Sequence, residues 1–286
     1  MGINDSAVLA LNFSFTTVAL PGATWVWKVV GLLLVFAQGM WLNQIHNVTG
    51  IFEERSNTVL LMYVLFNSTI PATQGLSPAL IAATFLIPAW HQIFLIYNQP
   101  DVYKLDFNSG FLIGVAALIY LPSLLMIIVL WTALIVIRTI TFKDFTFSLL
   151  GLLLPGLYMI AWLILSESSL GFDLFNHLHG GYEDWTKTDL ILVGVLLLIG
   201  ILGWGASLGN VTMRRRNFYL LLIIGLLVGL IPFVTGFKAL YGSLVCSSLA
   251  LAPLAATYFS SFSRKWLPEA LVTVWIAFVI AFQLIS

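Results

Sequence analysis

The sequence predicts an all-α polytopic transmembrane helix bundle. Three observations predict it. Of the 286 residues, 60% are hydrophobic and only 8% are charged, whereas a soluble domain carries about 25% charge. Mean hydropathy is +1.02. Long apolar runs also succeed one another with short polar joints. Backbone polar groups in lipid must pair internally, which allows only helices or a closed barrel. A barrel would show period-two alternation, and the continuous apolar runs here exclude it.

Ten apolar segments are expected, at about residues 25–42, 57–70, 77–97, 109–120, 122–137, 145–165, 190–208, 218–234, 240–260 and 266–284. The segment before them, 1–24, lacks the basic start of a signal peptide. It reads as interfacial or partly inserted. The first span is flanked by Trp25, Trp27 and Trp41; Tyr97, Trp185, Tyr219 and Trp266 mark other ends, where amphipathic rings favour the interface. Segments 57–70, 109–120 and 122–137 are short, which local thinning or packing inside a bundle accommodates.

Residues 107–137 carry no charge at all and hold Pro122 near their middle. One span needs only about 20 residues, and thirty-one in a single helix would reach about 46 Å. The run is therefore expected to cross twice, as a short helix pair over 109–137. The remaining segments follow from length, down to 145–165, the exterior loop 166–189, and the last four spans. No joint is long enough for a separate soluble domain, so the chain is read as one integral membrane domain. The single cysteine, Cys246, excludes an internal disulfide.

Positive charge orients the bundle. Arg214, Arg215 and Arg216 place their joint in the cytoplasm, and Arg138, Lys143, Arg264 and Lys265 then fall on the same side. The loop 166–189 becomes exterior and carries five acids against Lys187. With a double crossing, nine basic residues lie inside and three outside; a single crossing gives eight and four. The double crossing puts Glu53 and Glu54 in the cytoplasm. The chain is expected to be a multi-pass membrane protein with its basic joints in the cytoplasm. Net charge is zero, which implies no nucleic-acid partner.

Between residues 55 and 158 lie Arg55-Ser-Asn, Leu60-Leu-Met-Tyr-Val-Leu, Ser77-Pro-Ala-Leu-Ile-Ala, the Gly110-x3-Gly114 to Pro122 stretch, Arg138, and Leu149-Leu-Gly-Leu-Leu-Leu-Pro-Gly-Leu-Tyr158. This order resembles a Bacteroidota family of inner-membrane proteins grouped as a domain of unknown function. It is also distantly similar to the membrane half of type C glycosyltransferases, which take sugars from polyprenyl-phosphate carriers on the exterior face. That fold has a short helix pair bent at a Lys-Pro or similar turn; here Leu121 stands where a lysine often does. The likeness implies an acid in the first exterior loop. Glu53 and Glu54 are nearest, yet the expected topology puts them inside, and no acid lies between residues 70 and 77. The resemblance therefore implies a scaffold without that active site.

The exterior loop holds His177-x-His179 with Glu183 and Asp184, a set that suits metal ligation or general acid/base work. The plainer reading is a solvated loop whose Phe172, Leu174 and Phe175 dip into the interface. His91 lies within a span, near Gln92, with Gln38 and Asn67 in other spans. A histidine there marks a ligand or proton site, or a hydrogen bond between helices. The expected spans carry no acid in their interiors; Glu269 stands in the first turn of the last. Arg214–216 set orientation or meet anionic headgroups. Proline within spans can mark discontinuous, substrate-binding helices, though prolines are also common in ordinary spans. Gly31, Gly151, Gly194, Gly200, Gly225 and Gly229 are expected to serve close helix packing. The pair Gly225-x3-Gly229 fits a crossing within the bundle or against a partner.

The resulting expectation is a non-catalytic subunit or scaffold in cell-envelope biogenesis, with membrane lipids and other envelope proteins as partners and no cofactor. A glycosyltransferase or polyprenyl-lipid-handling protein is the alternative. A small-solute or proton-coupled transporter centred on His91 is the second.

Overall fold

Local chemistry sets several helix starts. Ser77 Oγ accepts a hydrogen bond from the Leu80 amide at 3.2 Å, and Pro78 follows in the first turn. This satisfies one orphan amide and places proline where no amide is needed. Thr141 opens another helix, with its amide and hydroxyl both donating to Asp144 Oδ2, at 2.9 and 2.7 Å. The Asp144 carboxylate thus satisfies the amide at the helix start, one half of a capping box, and stands in the first turn where the helix dipole favours an acid.

The computed structural model describes residues 24–50, 57–70, 76–98, 102–137, 141–165, 212–234 and 240–260, with isolated helical positions at Gly194, Leu198, Ile201, Leu202 and Gly205. Its elements are α1 (Thr24–Thr49), α2 (Thr58–Thr69), α3 (Pro78–Leu95), α4 (Tyr103–Ile119), α5 (Ile127–Ile137), α6 (Phe142–Leu165), α7 (Met213–Val234) and α8 (Leu240–Ser260). Short 3-10 segments, Ile96–Asn98 and Leu121–Met126, follow α3 and precede α5. No strand occurs among the described residues, as the fold class requires.

Among the described residues, four helices are long and apolar enough to cross a membrane: Val26–Thr49, Pro78–Leu95, Phe142–Trp162 and Met213–Pro232. Three shorter apolar stretches are Thr58–Ser68, Leu121–Ile137 and Gly242–Tyr258. The expected count of ten spans is therefore not reproduced. Most of segment 190–208, segment 266–284, most of the N-terminal segment 1–24 and the loop 166–189 lie outside the described residues.

Several boundaries differ from the sequence reading. α1 continues to Thr49, seven residues beyond 42, so Asn43 and His46 are helical. α4 starts at Tyr103, six residues before 109, and so contains Asp106. Polar residues mark the end of an apolar run, but the helix continues past them while its backbone ladder does. At 26 residues, α1 is about 39 Å long, more than the roughly 30 Å hydrocarbon core.

The 107–137 run reverses direction. α4 ends at Tyr120, whose backbone is extended (φ −140°, ψ 98°). Pro122 and the 3-10 turn follow, with the Ser123 amide bonded to the Tyr120 carbonyl at 3.0 Å. Gly110 packs on Ser148, and Gly114 on Leu152 and Pro155. Both pairings advance together along the two chains, so α4 and α6 run parallel. α5 runs the opposite way: Trp131 Nε1 donates to Ser148 Oγ at 3.1 Å. The indole also stacks on Phe145, with centroids 4.4 Å apart. The helix pair is thus a hairpin.

Glycine permits the closest approaches. A Cβ at Gly114 would lie 2.5 Å from the Leu152 carbonyl oxygen, and Gly151 meets the Phe107 backbone. Small residues are what let membrane helices touch backbone to backbone. Gly229 faces Ser247, and Gly225 faces Trp90 and Ala250. That glycine pair therefore serves contacts inside the bundle, with α7 and α8 antiparallel. α3 and α8 form the centre: Leu80, Leu86, Ile87, Leu249, Leu254 and Ala255 are fully shielded. Helices α3, α6, α7 and α8 run unbroken through Pro88, Pro155, Pro232 and Pro253. The clean break near a proline is at Pro122.

Candidate functional site

Gln38 on α1 is buried and uses its whole amide. Its Nε2 donates to the Leu80 carbonyl and to Thr84 Oγ1, each at 2.7 Å. Its Oε1 accepts from the Tyr63 hydroxyl at 2.9 Å. One turn further along α2, Asn67 Nδ2 donates to the Tyr63 carbonyl at 2.9 Å and to Ser248 Oγ at 3.1 Å. Four helices, α1, α2, α3 and α8, are therefore joined through one buried polar core. In a low-dielectric interior such groups are costly unless paired. Here they pair with each other and fix the relative rotation of the helices.

A second cluster lies at the end where α1 finishes and α7 begins. Arg214 donates from a guanidinium nitrogen to the Thr49 carbonyl at 3.1 Å. Its guanidinium carbon also stands 5.2 Å from the Tyr97 ring centroid and 5.5 Å from that of Phe218. A cation there complements the negative end of the α1 dipole, and the rings add cation–π attraction. Phe218 in turn meets Phe94 edge-on at 5.2 Å, and Phe94 meets His46 edge-on at 5.5 Å. His46 is fully buried, with Nδ1 2.8 Å from the Leu42 carbonyl oxygen. Asn43 Nδ2 donates to Asn57 Oδ1 at 3.1 Å on the same face.

These contacts put Thr49, Asn57, Tyr97 and Arg214 on one face of the bundle. The opposite face gathers Tyr120 and Gly242, where a Cβ would lie 2.6 Å from the Tyr120 hydroxyl. Glu53 and Glu54 lie outside the described residues, and both flanking residues, Thr49 and Asn57, are on the Arg214 face. His177, His179, Glu183 and Asp184 also lie outside the described residues. No group of three or more metal-binding side chains occurs among the described residues.

His91 is half-buried on α3, between the fully buried Trp90 and Ile93. Gln38 and Asn67, the polar residues of other spans, belong to the α1–α2–α3–α8 core. The histidine that does sit at a junction of helices is His46, which sequence reasoning missed by ending α1 too early. Its signal was there, because Gln38, Leu42, Ile45 and Thr49 repeat at intervals of three or four residues and are all buried. The boundaries also hid two acids. Asp106 and Asp144 are buried within the first turns of α4 and α6, correcting the expectation of acid-free helices. Tyr219, expected as an interfacial anchor, is buried in the bundle.

Comparison with protein-family models, with curated proteins and with solved structures finds no match to this chain.

Proposed function

We propose that this chain is a multi-pass inner-membrane subunit or scaffold that works within a larger assembly in bacterial cell-envelope biogenesis, rather than a catalyst. The observation that supports this reading is the Gln38–Tyr63–Thr84–Asn67–Ser248 core. Its polar side chains spend hydrogen bonds on one another and on backbone carbonyls across four helices. Groups used in this way specify one arrangement of helices, which is what a scaffold must hold. The outer side of α6 adds support, since Leu157, Tyr158, Trp162 and Leu165 all stand exposed, Trp162 at 72%.

The architecture that goes with this reading has ten segments. One of them is the crossing expected at 190–208, most of which lies outside the described residues. The Arg214 face is cytoplasmic by the positive-inside rule. Purification from the native membrane in mild detergent tests the function. A companion protein in fixed stoichiometry is the expected result; a strictly monomeric preparation at native expression contradicts the reading.

A further inference from the structure

Among the described residues, five of the six basic side chains stand on the Arg214 face. Arg214, Arg215 and Arg216 open α7, which has no acid in its first turn. Lys104 stands in the first turn of α4, which begins six residues after Tyr97. Lys143 stands in the first turn of α6, which runs parallel to α4. Lys104, Lys143 and Arg216 are exposed. The two acids described on this face, Asp106 and Asp144, are buried. Over the described residues, the accessible charge of the face is therefore all positive. Two of these bases also head an apolar stripe. On α7, Leu220, Leu227 and Ile231 are exposed and follow Arg216 by four, eleven and fifteen residues, which keeps them on its side of the helix. On α6, Leu150, Leu157 and Ile164 are exposed and follow Lys143 at intervals of seven.

We propose that the Arg214 face binds the phosphate headgroups of anionic phospholipids through Lys104, Lys143 and Arg216, with acyl chains lying along the exposed stripes of α6 and α7. Arg214 and Arg215 add their charge behind these three. The Thr49, Tyr97 and Phe218 contacts of Arg214 fix where α7 presents its triplet. Clusters of about four to eight basic residues beside a span attract anionic lipid. The triplet alone falls short of that number, and the fold raises it to five. Guanidinium and ammonium groups both make charge-assisted hydrogen bonds to phosphate oxygens. An acidic protein segment would meet the bases alone. A phospholipid meets base and stripe together, with its phosphate at the helix start and its chains against Leu220 or Leu150. The inference needs only the multi-pass membrane fold and is independent of the scaffold reading.

The test uses the full chain in nanodiscs of phosphatidylcholine, or of equal parts phosphatidylcholine and phosphatidylglycerol, at low salt. Phosphatidylglycerol should raise the melting temperature by several degrees. The rise should fade in about 1 M NaCl, where the Debye length falls to about 3 Å. Lys104→Gln, Lys143→Gln and Arg216→Gln together should remove most of the rise and leave the melting temperature in phosphatidylcholine unchanged. If that triple variant fails to fold, native mass spectrometry of the wild type released from the mixed nanodiscs decides, and preferential retention of phosphatidylglycerol supports the site. Inorganic phosphate added to phosphatidylcholine nanodiscs should not reproduce the rise; if it does, the face takes free phosphate and the lipid proposal falls. A rise that the triple variant keeps in full, or release with no preference for phosphatidylglycerol, also overturns it. Equal melting temperatures in the two membranes overturn it as well and leave the face to an acidic protein partner.

Discussion

The Arg214 guanidinium reaches the Thr49 carbonyl oxygen at 3.1 Å. Residues 165 positions apart are thereby held on one face of the bundle, along with the Tyr97 ring at the end of α3. A single crossing by residues 107–137 would put the joint after Thr49 and the Arg214 triplet on opposite sides. The contact therefore agrees with the hairpin at Tyr120–Pro122, where charge counting alone was nearly indifferent.

Arg214→Lys keeps the charge that orients the chain and removes the planar group that stacks on Tyr97 and Phe218. Arginine and lysine are not equivalent at such a site. A loss of about 1–2 kcal/mol in unfolding free energy is expected from the weakened cation–π contacts, with membrane orientation unchanged. Arg216→Lys, at an exposed position, should leave stability unaltered. Denaturation in detergent micelles compares the two.

Gly114→Leu should destabilise the α4–α6 contact strongly. The obstacle is the Leu152 carbonyl oxygen 2.5 Å from the new Cβ, and backbone cannot step aside as a flexible side chain can. Overpacking of this kind costs about 1–3 kcal/mol. Gly156→Ala, with nothing within 4 Å, should be neutral or gain up to about 1 kcal/mol in helix propensity. Melting temperatures of the two variants should move in opposite directions or differ by several degrees.

The buried polar core is open to a double-mutant cycle. Tyr63→Phe removes the hydroxyl that donates to Gln38 Oε1, and Gln38→Leu removes the acceptor together with both amide donations. Hydrogen bonds between membrane helices average about 0.6 kcal/mol with a ceiling near 1.7. A coupling energy in that range is expected between the two positions. Strict additivity would mean that the pair does not interact.

The two histidines should separate cleanly. His46→Ala removes a fully buried ring that meets Phe94 and hydrogen-bonds the α1 backbone, so it should lower the melting temperature by several degrees. His91→Ala, at a half-buried position, should cost much less. Equal losses would contradict the placement of these side chains. If His91→Ala abolishes a transport phenotype while stability is kept, the transporter alternative gains its residue.

Helix identity was legible wherever an apolar run was bounded by a cap or a break. α2 and α8 fall within a residue of expectation, and the Leu121-Pro122 break falls between two helices as read. Helix ends among polar residues were not legible. Asn43, His46 and Asp106 look like loop chemistry in sequence, yet they lie on helices whose ladders continue past the apolar run. Those misread ends concealed the Arg214 face cluster and the burial of Asp106 and Asp144. The Asn67–Ser248 bond was beyond reach for another reason. Its partners are 181 residues apart, and nothing in a single sequence specifies which serine an asparagine will meet.

Sidedness tests the account most directly. Single cysteines at Glu54→Cys and Lys104→Cys should be labelled by an impermeant reagent from the same side as Arg216→Cys. Leu121→Cys, at an exposed position of the hairpin turn, should be labelled from the opposite side. The native thiol, Cys246, is buried and should stay silent. If position 54 and position 216 are labelled from opposite sides, residues 107–137 do not form the hairpin and the shared face defined by Arg214 and Thr49 is wrong.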